Sequence, residues 1–164
     1  MRQTLERLTI AGLSVILTTS PAKADWQYTK WGMTVQELVS AAPVESNLRN
    51  GSLRSDHLTI SGVYSAEKFA FKSRFEFSDN SLVAVRLTLS DGSMRACSQL
   101  QDALDATYGR SEEGFTMYGE SLLPFPYKRW RDEDAGNIIT LIGIDDCDLL
   151  YRPITPPRKK IKGL

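Results

Sequence analysis

The chain has 164 residues with 20 basic and 20 acidic side chains, a formal charge of zero. Apolar residues make up 41% of it and aromatic ones 9%, enough for a single small core. That balance argues against the strongly basic footprint of a nucleic-acid binder.

Residues 1–24 are expected to be a signal peptide. Arg2 and Arg7 make a positive start, weakened by Glu6, and residues 8–17 form an apolar stretch of ten. The segment ends Ala22-Lys23-Ala24, with small residues at the two places a signal peptidase reads, so the cut falls before Asp25. Ten apolar residues make ~15 Å of helix, half of a ~30 Å hydrocarbon core, which is too short for an anchor. No other segment is long and apolar enough to span, and no cysteine follows the cut to carry a lipid. The expected location is periplasmic or secreted. Removing Arg2, Arg7, Lys23 and Glu6 leaves 17 basic and 19 acidic side chains on one domain, residues 25–152, and a tail, residues 153–164.

Thr34 and Glu37 have capping-box spacing, and Met33 and Leu38 sit where a hydrophobic staple closes a helix start. Pro43 ends that helix near Ala42. Residues 43–56 are polar, contain Asn50-Gly51 and read as a loop. Residues 57–64 alternate weakly and read as a strand. In the next strand Phe69, Phe71, Phe75 and Phe77 take the odd positions, while Lys68, Lys72, Arg74 and Glu76 take the even ones. That is a half-buried antiparallel strand. Residues 82–89 follow with Val83, Val85, Leu87 and Leu89 on the odd face. Matching the two odd faces predicts a three-residue loop, Asp79-Asn80-Ser81, with Phe77 opposite Val83 and Phe75 opposite Val85.

Ser93 offers a cap for a helix over 94–108, with Cys97, Leu100, Leu104, Thr107 and Tyr108 at helical spacing and Gly109 at its end. Residues 111–125 read as loop-rich, with a short strand at 115–118. Strands follow at 127–131, 137–144 and 147–152. Pro153, Pro156 and Pro157 end regular structure, and Arg158 to Lys162 form a basic, mobile tail. The tail offers at most weak contact with anionic lipid. The fold class is therefore α+β: an antiparallel sheet of about six strands with two helices on one face, in a helix-then-strands order written about twice.

Both cysteines, Cys97 and Cys147, survive the cut. An even count in an oxidising compartment reads as one disulfide, stapling helix to sheet. Two free buried thiols are the alternative. A redox pair has no Cys-x-x-Cys to support it.

Catalytic machinery is not evident, and no cofactor is implied. His57 is the single histidine, and Asp56 beside it points to the other face of a strand. No Gly-x-Ser-x-Gly elbow or phosphate loop appears. Zinc would need His and Cys clusters. Residues 132–137 miss the glycine and glutamate places of a calcium loop. Asp145, Asp146 and Asp148 form an acidic group that reads as a solvated turn or a weak cation site. The candidate interaction surface is aromatic: Phe115, Tyr118, Phe125, Tyr127 and Trp130 lie in or beside the irregular segment.

Trp31-Gly32-Met33-Thr34 before a short helix, then Tyr108-Gly109 and a Trp130-bearing strand, resembles many small exported bacterial proteins of unknown function. The doubled helix-then-sheet order is similar to the folds of the β-lactamase inhibitory protein and of the small lipoprotein of the outer-membrane assembly machinery. The resemblance implies a fold and carries over no site residues. The missing lipid-bearing cysteine departs from the lipoprotein pattern.

Three functions follow as expectations. The first is a non-catalytic envelope protein that binds another protein by its sheet edge or aromatic surface. The second is a small-ligand or lipid-binding domain, and the third a hydrolase using carboxylates or His57.

Overall fold

Thr34 caps the first helix as its spacing demands. Its hydroxyl accepts from the Glu37 amide at 3.3 Å, and the Glu37 carboxylate accepts from the Thr34 amide at 2.7 Å. The helix, α1, runs Val35–Ala41 and stops at Ala42, whose extended backbone leads into Pro43. Met33 and Leu38, the two staple positions, are both buried. Thr34→Ala is expected to cost about 1 kcal/mol, read as a lower urea midpoint at unchanged slope.

The chain's computed structural model describes residues 26–54, 57–117, 124–142 and 147–155. The signal peptide, its cut before Asp25, Tyr118, Asp145, Asp146 and the basic tail lie outside the described residues. Among the described residues, no helix is long and apolar enough to cross a membrane.

After α1 and a 3-10 turn, Val44–Ser46, four strands run β1 Arg49–Arg54, β2 His57–Ala66, β3 Phe69–Ser78 and β4 Ser81–Leu89. Helix α2, Met94–Tyr108, precedes β5 Glu112–Thr116, β6 Phe125–Asp132, β7 Asn137–Ile142 and β8 Asp148–Pro153. All eight described strands join one sheet in the order β1-β2-β3-β4-β8-β7-β6-β5, with antiparallel neighbours.

The α+β class holds, but the sheet has eight described strands where about six were expected. The difference lies at its two edges. β1 occupies the stretch read as a loop from Asn50-Gly51. A Cβ on Gly51 would lie 1.9 Å from the Thr59 carbonyl oxygen, so glycine there lets the neighbouring strand close in. β5 begins three residues before the expected short strand, at Glu112.

The β3–β4 hairpin corrects the expected loop. Its turn has two residues, Asp79 and Asn80, both at positive φ (50° and 59°), with Ser78 facing Ser81. Phe77 faces Leu82, yet Phe75 still faces Val85. A bulge at Val83 absorbs the extra residue, so Leu82 and Val85 both reach the core. The Leu82 backbone in turn bonds outward: its N–H donates to Met33 O and its carbonyl accepts from Gly32 N, each at 2.9 Å. The bulge thus fastens the segment before α1 to the sheet.

One buried cluster joins both helices to one face of the sheet: Leu38 of α1 and Leu100 and Leu104 of α2 pack with Phe75, Ile139 and Leu149. The 3-10 turn lies on this face too, because a Cβ on Gly62 of β2 would meet the Ser46 carbonyl at 2.8 Å. Trp130 of β6 is buried in the same cluster. Its Nε1 donates to Asp105 Oδ1 at 3.0 Å and to the Gly109 carbonyl at 3.1 Å, holding the end of α2 on the sheet. The Cys97–Cys147 disulfide joins the start of α2 to the residue before β8.

Candidate functional site

Tyr151 of β8 has the most displaced acid of the described residues. It lies beside Trp26, with ring centroids 5.9 Å apart, and hydrogen-bonds with Tyr108 and Trp26. Burial pushes its phenol well above the usual 10.0, and the neighbouring Tyr108 adds to this. Burial also raises Tyr28, Tyr64 and Tyr108. Displaced acids often mark reactive sites. Here the first cause is desolvation inside an aromatic cluster, which keeps the phenols neutral, so the group is structural. A raised acid pKa means stability is full below the unfolded value of 10.0 and falls as pH climbs past it. Tyr151→Phe is expected to flatten that alkaline fall in a series of urea midpoints above about pH 10.

The predicted aromatic surface separates into three places. Trp130 is in the core, so it is not a surface anchor; its alternation with Tyr127 and Arg129 already puts it on the opposite side of β6. Tyr127 and Phe125 are half-buried on the face away from the helices. Phe115 is on the helix side of β5 and is 74% exposed, and Met117, two residues on, is 60% exposed.

β5 is a sheet edge built around Tyr127. The Tyr127 ring lies on Gly114, where a Cβ would meet its hydroxyl at 2.7 Å. Arg129 stacks on the same ring at 4.4 Å and approaches Glu112 at 3.8 Å. On the other side Lys128 pairs with Glu113 at 2.7 Å and holds that carboxyl below its usual value, first by hydrogen bonding and then by charge. The first half of β5 is therefore tied down by charge, while its second half carries bare Phe115 and is followed by bare Met117.

A groove of about 710 Å³ lies between the segment before α1 and α1 itself, lined by Tyr28, Trp31, Met33, Glu37 and Ser40 among others. His57 is exposed at the start of β2, across from Ser78, and is not among the residues lining it. Asp148, one of the three acids of the predicted cation site, is already engaged. It accepts from Thr88 Oγ1 at 2.6 Å and lies 3.7 Å from Arg86. Among the described residues no group of three His, Cys, Asp or Glu side chains could hold a metal. Compared with protein families, curated proteins and solved structures, the chain matches none of them.

Proposed function

We propose that this is an exported, non-catalytic binding module of the cell envelope, and that its β5 edge takes up an extended segment of another envelope protein. The observation that carries this reading is the contrast between the two sheet edges. Exposed edges are normally blunted by charge, proline or a bulge. β1 follows that rule, with Arg49 exposed and a register shift between Asn50 and Leu53. The second half of β5 does not, because Phe115, and Met117 just past the strand's end, stand exposed where a charge would protect it. An added ninth strand would satisfy the free backbone groups and cover both side chains. The helix-to-sheet disulfide supports an oxidising compartment.

The test uses the mature protein as bait in envelope extract, beside a Phe115→Ser/Met117→Ser variant. Since both side chains are exposed, the variant is expected to keep the wild-type Tm within a few degrees. It should lose the captured protein, and the same protein should slow hydrogen exchange of the β5 amides when bound to wild type. Equal capture by both baits would overturn the edge reading.

The groove beside Trp31 favours a second reading, a small-ligand or lipid-binding domain. Native mass spectrometry of protein purified from the envelope checks it: a retained small molecule, displaced by Trp31→Ala, would give the groove the function.

A further inference from the structure

The sheet face opposite the helices carries a row of arginines, of which the β5 edge uses Arg129. Strand register aligns Arg49 of β1, Ser61 of β2, Arg74 of β3 and Arg86 of β4 directly across the sheet, with Arg129 of β6 three strands further along the same row. Lys72, Arg131 and Arg152 project from this face beside the row. Three carboxylates accompany them on the strands, Glu76, Glu112 and Asp148, and Glu133 from the turn after β6 reaches Arg131 at 3.4 Å. Among the described side chains this face therefore holds seven cations against four anions, Glu133 included, on a chain whose formal charge is zero.

The carboxylates are committed to particular arginines. Arg86 is held between Glu76 at 3.1 Å and Asp148 at 3.7 Å, and Arg129 lies near Glu112. Arg49, Lys72, Arg74 and Arg152 are exposed and form no ion pair with any described residue. Arg74 also stands directly opposite Arg86. Like charges in that position destabilise a sheet, so this pattern works against the fold.

We propose that this face is a docking surface for a carboxylate-rich segment of a partner protein. The neighbours of the row favour protein over a phosphate polymer or a lipid surface. Tyr127, Val63 and Ile138 intersperse the cations, and mixed arginine, aromatic and aliphatic surface is the composition of protein interfaces. Arg86 already shows guanidinium–carboxylate pairing on this face. The neutral chain lacks the overall positive field that draws proteins to nucleic acid or anionic membranes. Lys72 and Arg74 lie on β3, five strands from the β5 edge, so either reading can fail without the other.

The probe is a fluorescein-labelled decaglutamate peptide, followed by anisotropy against the mature protein at about 20 mM salt. Lys72→Glu/Arg74→Glu is compared with Arg95→Glu/Arg110→Glu, which makes the same change in net charge on exposed residues of α2 and the turn after it. The expected result is a loss of about tenfold or more in affinity for the first variant and less than about twofold for the second. Neither should lower Tm. A third variant, Arg74→Thr, should weaken peptide binding while leaving Tm equal or higher, which a structural role for Arg74 would not produce. Phosphatidylglycerol vesicles and a DNA duplex serve as competitors and should displace little peptide. The proposal is overturned if wild type does not bind the peptide, if both double variants weaken equally, or if vesicles or DNA bind with the same dependence on Lys72 and Arg74.

Discussion

Opening the Cys97–Cys147 disulfide is expected to remove about 4 kcal/mol of stability and lower Tm by roughly 10–15 °C. The two cysteines are 50 positions apart, so the bond closes a long loop and restricts the unfolded chain strongly. It also fixes the start of α2 against β8, while Trp130 fixes the other end. Urea unfolding with and without reductant measures the effect. Cys97→Ala/Cys147→Ala should reproduce the reduced protein to within about 1 kcal/mol, the difference coming from lost packing at buried Cys147. Reduction without a change in the midpoint would show that the loop entropy is offset by native-state cost.

Trp130→Ala is the second large effect, at about 3–5 kcal/mol. Trp130 is among the largest fully buried side chains and touches the sheet core and the end of α2 together. The variant leaves a cavity and strips the Gly109 carbonyl of its partner. Trp130→Phe separates the two contributions. It keeps most of the apolar volume and loses both indole hydrogen bonds, for an expected cost of about 1–2 kcal/mol. Equilibrium urea denaturation resolves the series. A surface anchor would leave the midpoint unchanged in both variants.

These two effects came from residues with different legibility. The cysteine pair could be paired from count and compartment, and the helix carrying Cys97 from apolar spacing and its Ser93 cap; α2 ends at Tyr108 as its spacing requires. Trp130 reads as a surface residue because it lies next to an irregular segment, yet it is buried. The signal that would have placed it is parity. Tyr127, Arg129 and Arg131 share one side of β6, so Trp130 and Lys128 must share the other. The β3–β4 loop failed for a related reason: face matching assumes a regular ladder, and a bulge changes the residue count without moving either apolar face. β1 escaped because its pairing depends on a glycine that lets two backbones approach, which a polar Asn-Gly stretch conceals.

The arginine row shows the same division on the surface. Lys72 and Arg74 can be assigned to the outward face of β3 from alternation alone. The alignment of Arg74 with Arg49, Arg86 and Arg129 spans strands far apart in the chain and depends on register, which no local pattern contains. The sequence by itself determined the two helices and their N-caps, the alternation of β3 and the pairing of the cysteines, because each rests on interactions between near neighbours or on a simple count. The tertiary structure alone decided the edge strands, the burial of Trp130 and the gathering of cations on one face. Those depend on which distant strands lie side by side, and that is set by the packing of the whole core.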